Sequence, residues 1–407
     1  MENDDLVPGL PEPENKRFYP ALDGLRAMAV LMVFFQHYVS SIVNTQHSSS
    51  HLWQGLKALL SWGWTGVDFF FVLSGFLITG ILYDTRHTAH RFRNFYVRRT
   101  LRIFPLFYGV LLIGLLLNPI FHWVWHPGWF LWPFYLGNYV RFLWLPEFLQ
   151  DTGALEHLRS GLPFQSPFLL LLGHFWSLCV EEQFYLVWPF VVFLVKDRVR
   201  LRNICVAVCF LSLAARIACV FLVPKAYLDA ELLNRLTPLR ADALLLGGLI
   251  ALMLRGPEGK WLRRISRPVF ALFVTGFIAF EGVYLLYAHK VYQPRTGAPV
   301  LGTLGLTLID LFAGLLILLS LDPTSRVYRI FTLRPLRRLG QMSYGFYVFH
   351  DIPHYAYRQL VYNTAGYVRG STILIALVGF CGTLILSYLS FRFYESPFLR
   401  LKDRFTV

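Results

Sequence analysis

The chain has 407 residues, of which 56% are hydrophobic, 17% aromatic and only 15% charged. Soluble domains carry about 25% charge, so a water-soluble globular protein is excluded. The net charge of +14 invites a nucleic-acid reading, but 27 of the 38 Lys and Arg residues lie before Arg26 or at it, after the last apolar run, and in alternate connections between those runs. That is the cytoplasmic-loop bias of a polytopic membrane protein, and it accounts for the charge without nucleic acid.

Residues 1–17 form a polar, acidic tail with no cleavable signal, and the first apolar run is a full span. Ten apolar runs follow, near 27–44, 62–83, 103–121, 169–195, 203–222, 237–254, 268–288, 300–320, 340–361 and 371–391. Each is long enough to cross a bilayer as a helix. The expected fold is therefore an all-α polytopic bundle of about ten transmembrane helices. Both termini would be cytoplasmic, with an integral domain over 18–397 and a basic tail over 398–407. No internal repeat is visible.

An ionisable residue inside a span costs at least a few kcal/mol and is a functional candidate by default. The first run, "DGLRAMAVLMVFFQHYV", holds Arg26 and His37 eleven residues apart. Three helical turns put both on one face, roughly 16 Å from each other. The second, "GWTGVDFFFVLSGFL", carries Asp68 and Ser74. Its Ser-Gly pair lacks the glycine spacing of a nucleophile elbow and reads as a close helix contact or a hydroxyl for a ligand. "RRTLRIFPLFY" sets Arg98, Arg99 and Arg102 at the cytoplasmic entry of the third run, with Arg99 and Arg102 on one face. Charge anchoring explains part of this cluster, and bidentate binding of a phosphate would explain its density.

The connection from Phe121 to Phe168 is long and rich in Trp, Tyr and Phe. It reads as an interfacial aromatic belt, with a re-entrant hairpin over a cavity as the alternative. In "HFWSLCVEEQFYLVWP", Glu181 and Glu182 lie mid-span and point about 100° apart, so that one faces a cavity and the other a structural contact. Taken alone, Arg216, Asp310 and His350 read as packing or paired residues, and Arg240 with Asp242 as an ion pair. His37 and Glu181 together read as a base and the carboxylate that orients or charges it. The five cysteines fall within the runs and suggest neither a disulfide framework nor a metal site.

Several stretches occur in the order seen in the membrane-bound acyltransferase-3 family. They are "FYPALDGLRAMAVLMVFFQHY", "GVDFFFVLSGFLITGIL", "RRTLRIFPLFY", "HFWSLCVEEQFYLVWPF", "TPLRADALLLGGLIA", "MSYGFYVFH" and "FYESP". The chain resembles that family from about Phe18 to Pro397. The resemblance implies transfer of an acyl group, commonly acetyl from acetyl-CoA, to a sugar of an envelope glycan. It also implies a ten-helix bundle, in some members extended by an extracytoplasmic hydrolase-like domain that is not expected here. The acceptor would then be met directly or through a separate extracytoplasmic partner.

By that resemblance, the Arg-x10-His pattern falls on Arg26 and His37, with His37 the essential histidine. FFxxSG falls on Phe70, Phe71, Ser74 and Gly75, RxxR on Arg99 and Arg102, and WSLxxE on Trp176, Ser177, Leu178 and Glu181. The expected roles are catalysis for His37 and Glu181, and donor binding for Arg26, Ser74, Arg98, Arg99 and Arg102. Trp176, Glu182, Arg240, Asp242 and Asp68 would meet the acceptor. His37 would act as general base or as transient acyl carrier. The expected location is a bacterial inner membrane, with the lipid bilayer, acyl-CoA and a glycan as partners and no metal. A transporter or flippase is the competing reading, but no inverted repeat supports it.

Overall fold

The structure is a computed structural model, described for residues 19–45, 60–121, 127–143, 172–229, 231–288, 298–351, 371–402 and 404–405. Among these residues every element is helical, and no strand occurs. The long helices are α1 (Pro20–Thr45), α2 (Gly66–Asp84), α3 (Arg91–Phe121), α4 (Trp176–Leu194), α5 (Arg198–Leu222), α6 (Thr237–Met253), α7 (Glu258–Ala288) and α8 (Leu306–Ser320). The short α9 (Ser343–Phe349) and the long α10 (Ser371–Leu389) follow. Seven helices among the described residues are long and apolar enough to cross a membrane. The ten expected runs differ from these seven at α1, at the 17-residue α6, and at 340–361, where the description stops at residue 351.

The bundle is ordered by burial. The α2 segment is apolar all round, and 78% of its apolar window is buried, as befits a helix surrounded by other helices. It packs on α6 through backbone: a Cβ at Gly75 would strike the Leu244 carbonyl, and one at Gly247 would strike that of Val72. Small residues permit such approach in a bilayer, where association depends on close packing and not on expulsion of water. By contrast, only 6% of the α7 window is buried, and Leu272, Ile278 and Leu286 face outward as a lipid-facing helix requires.

Local signals start several helices where expected. Asp197 caps α5 by accepting from the Arg200 amide at 2.8 Å, and Pro238 occupies the first turn of α6. The start of α1 is clamped by two backbone contacts, Gly24 on Phe331 and Gly340 on Asp23. Further along α1, the Tyr38 hydroxyl donates to the His350 carbonyl at 2.6 Å. These contacts hold α1 against the short helices Arg326–Phe331 and Arg334–Gln341 and the end of α9.

Candidate active site: two cavities along one helix

Arg26 and His37 line different cavities. The smaller cavity, about 200 Å³, has Arg26, Arg99 and Arg102 on its wall, with Glu181 and Glu182 opposite them in charge. Asp23, one turn before Arg26, binds its guanidinium at 2.8 Å. The Arg99 guanidinium lies 3.9 Å over the Tyr185 ring, and the Tyr185 hydroxyl hydrogen-bonds Ser74. Glu181 faces Ser74 and Tyr185, with Arg99 as its main opposite charge. Arg102 has no ion pair among the described residues. Arg99 Nε and Glu182 Oε1 are buried there without a hydrogen-bond partner. Buried polar groups are almost always satisfied, so this cavity is built for polar contents.

The larger cavity, about 1110 Å³, is lined by His37, His174, Trp176, Arg235, Asp351 and other residues. His37 Nδ1 lies 3.0 Å from His350 Nε2 and 3.0 Å from the Val33 carbonyl. His350 itself is fully buried, with Nδ1 2.6 Å from the Tyr347 carbonyl. On the far flank, His174 reaches the Val348 carbonyl through Nε2 at 3.2 Å and Asp351 through Nδ1 at 3.6 Å. Arg235 is held by Glu231 at 2.6 Å and stands 5.4 Å over the Trp176 ring.

Val67 and Tyr347 line both cavities and so stand in the wall between them. The Tyr347 hydroxyl donates to the His174 carbonyl at 2.7 Å and lies 2.5 Å from the Ser177 hydroxyl, which faces the smaller cavity.

The structure thus groups Arg26, Ser74, Arg99, Arg102, Glu181 and Glu182 in one cavity, and His37 with Trp176 in the other. The expected pairing of His37 with Glu181 is not made; the partner of His37 is His350. Glu182, expected at the acceptor, lies with the arginines instead. Arg98 lines neither cavity and donates to the Phe405 carbonyl at 2.9 Å. It precedes Arg99 by one residue, and the helix turns it about 100° away.

Arg240, Asp242 and Asp68, expected to bind the acceptor, also line neither cavity. They belong to a buried ion-pair network across α2, α5, α6 and α8. Arg240 pairs with Asp68 and, at 3.4 Å, with Asp310, while Arg216 pairs with Asp242 at 2.6 Å. An Arg240–Asp242 pair does not form, because each residue finds its partner on another helix. In the aromatic connection, the rings of Trp129, Trp132 and Tyr135 are buried, and Phe130 and Phe134 are exposed. Gln183 of α4 donates to the Tyr135 carbonyl at 2.6 Å. The described part of this connection is therefore packed into the bundle; residues 122–126 and 144–168 lie outside the described residues.

His350, Asp351, His174 and Tyr347 are the site residues that the sequence reading undervalued. A signal existed for one pair: His350 and Asp351 are adjacent ionisable residues at the end of an apolar run.

A family model described as an acyltransferase domain matches residues 19–392. The chain belongs to this acyltransferase family. Over 397 residues it is 30% identical to a putative peptidoglycan O-acetyltransferase, YrhL, of Bacillus subtilis, covering 94% of this chain and 55% of the relative. It is 29% identical over 401 residues to the peptidoglycan O-acetyltransferase OatA of Listeria monocytogenes, covering 94% and 56%. Against the O-acetyltransferase OatA of Staphylococcus aureus it is 26% identical over 392 residues, covering 94% and 57%. The chain spans about half the length of these curated relatives. No solved structure matches it. It is a multi-pass integral membrane protein of an acyltransferase family.

Proposed function

We propose that the protein moves an acetyl group from acetyl-CoA, bound at the Arg26 end of α1, to a sugar hydroxyl of an envelope glycan at the His37 end. The observation that carries this reading is the division of labour along one helix. A cavity rich in arginine and a cavity lined by His37 share Val67 and Tyr347 in their walls. Arginine forks suit the phosphates of a nucleotide thioester. The smaller cavity, at about 200 Å³, lies below the roughly 300–1,000 Å³ of a pocket that swallows a whole ligand. Its size suits one part of a long, narrow donor, whose thioester would reach past Val67 and Tyr347 to His37. The larger one, about 1110 Å³, suits a sugar unit, with Trp176 and Arg235 beside His37.

In the reaction, the acceptor oxygen attacks the thioester carbonyl carbon while His37 takes the hydroxyl proton. The C–S bond then breaks, and the imidazolium returns that proton to the leaving thiolate. Glu181 acts on the donor side, holding Arg99, Ser74 and Tyr185 in place. The Arg26 end faces the cytosol of a bacterium, and the bundle sits in its inner membrane. The names of the relatives make peptidoglycan the first acceptor to try.

The test compares wild type with His37→Ala, using acetyl-CoA labelled on its acetyl group and an extract of envelope glycans. Label reaching glycan in wild type alone, with stoichiometric release of CoA, is the expected result. Label that stays on CoA in wild type overturns the reading and favours a transporter, which consumes no thioester. A labelled protein intermediate that disappears in His37→Ala would replace the base role by acyl-imidazole formation.

A further inference from the structure

We propose that His350 is a positioning residue: a buried hydrogen-bond acceptor that fixes His37 in the tautomer whose Nε2 is free of a proton. This rests on the reading of His37 as the reacting base and goes beyond it by naming what sets its protonation pattern.

Three groups in a row fix where the protons lie. The Tyr347 carbonyl can only accept, and His350 Nδ1 lies 2.6 Å from it, so His350 Nδ1 carries the hydrogen. A neutral imidazole has a single N–H, which leaves a lone pair on His350 Nε2. That lone pair faces His37 Nδ1 at 3.0 Å. The same His37 nitrogen lies 3.0 Å from a second pure acceptor, the Val33 carbonyl. Two acceptors thus surround one nitrogen, and both demand that it bear the hydrogen. The opposite tautomer would set three lone pairs against one another inside the bundle. With its hydrogen on Nδ1, His37 has an unprotonated Nε2, the atom needed to receive a hydroxyl proton.

His350 is held for this task. Its ring is fully buried, and the Tyr38 hydroxyl from α1 donates to its own carbonyl at 2.6 Å. The other ionisable groups facing the two rings are His174 and Asp351, with Arg235 across the cavity. When His37 takes the acceptor's proton, the bond from Nδ1–H to His350 becomes charge-assisted and stronger. His350 therefore acts on turnover more than on binding.

Two experiments on the purified full-length chain test this. In the labelled acetyl-CoA assay, His350→Phe keeps a ring and removes the acceptor, whereas His350→Gln returns a carbonyl oxygen near the place of Nε2. His350→Phe is expected to lower kcat about 100-fold with donor KM within about twofold, and His350→Gln to recover most of that loss. Wild-type turnover in His350→Phe, or His350→Gln as poor as His350→Phe, overturns the proposal. The second experiment needs no activity: nitrogen NMR of protein labelled in histidine reads the His37 tautomer directly. The Nδ1–H form is expected in wild type, with a mixture in His350→Phe. A wild-type His37 protonated on Nε2 overturns the proposal. A correct tautomer in a protein that transfers no acetyl group instead counts against the acyl-transfer reading alone.

Discussion

Two clusters of charge lie inside this bundle, and α2 contributes to both. Asp68, near its start, enters the network of Arg240, Asp310, Arg216 and Asp242, while Ser74 faces the cavity of Arg26, Arg99, Arg102 and Glu181. In the first cluster the guanidiniums and carboxylates pair with one another, and none of them lines either cavity. The second faces space and contains an arginine with no ion pair among the described residues. Charged residues in a span carry the same desolvation cost in either place. What distinguishes them is their setting: the first lies away from both cavities, and the second lines one.

Arg240 is the most damaging place to test the first cluster. Removing one partner of a buried ion pair strands the others, so Arg240→Ala is expected to cost about 3–5 kcal/mol. Loss of folded protein in a detergent unfolding titration checks it; retention of wild-type stability would show the network to be dispensable. Gly75→Ala comes next, because its Cβ would strike the Leu244 carbonyl where α2 meets α6. The cost should be about 3 kcal/mol, at the upper end for overpacking, and should appear in thermal stability as well as in activity.

Arg102→Ala sharpens the contrast from the cavity side. Loss of one charge-assisted contact is worth about 1.5 kcal/mol, roughly a tenfold rise in donor KM, with the unfolding midpoint unchanged. A fall in stability with unaltered KM would move Arg102 to the structural class. Smallest is the pair between Arg267 and Asp322 at 2.5 Å, where the arginine side chain is 56% exposed. Asp322→Asn should change stability by less than about 1 kcal/mol in the same titration, and high salt should abolish even that.

Class and broad architecture could be read from the chain because they depend on a sum, the lengths of its apolar runs. The Arg26–His37 spacing and the shared face of Arg99 and Arg102 could be read because helix geometry is local. The Ser-Gly pair of α2 was half readable. Its glycine is a close helix contact and its serine a cavity hydroxyl, the two options left open by spacing alone. Partnerships between helices were another matter. His37 finds His350 across 313 positions of sequence, and Arg240 passes over its neighbour Asp242 for Asp68. Such choices depend on how each helix is rotated and how deep it sits, and neither quantity is written in the periodicity of a single segment. The misplaced expectation for Glu181 has the same origin: similar depth along two helices does not imply the same cavity.

The wall formed by Val67 and Tyr347 has a consequence for the cell's energy supply. A bundle with polar hollows at two depths risks becoming a leak, because a continuous water path would let ions run down the membrane voltage. Each elementary charge crossing 100 mV dissipates about 2.3 kcal/mol. Here Val67 and Tyr347 stand between the hollows, and the Tyr347 hydroxyl is tied to the His174 carbonyl and faces the Ser177 hydroxyl. A side chain shared by both walls and held by two hydroxyl contacts stands where such a path would have to pass.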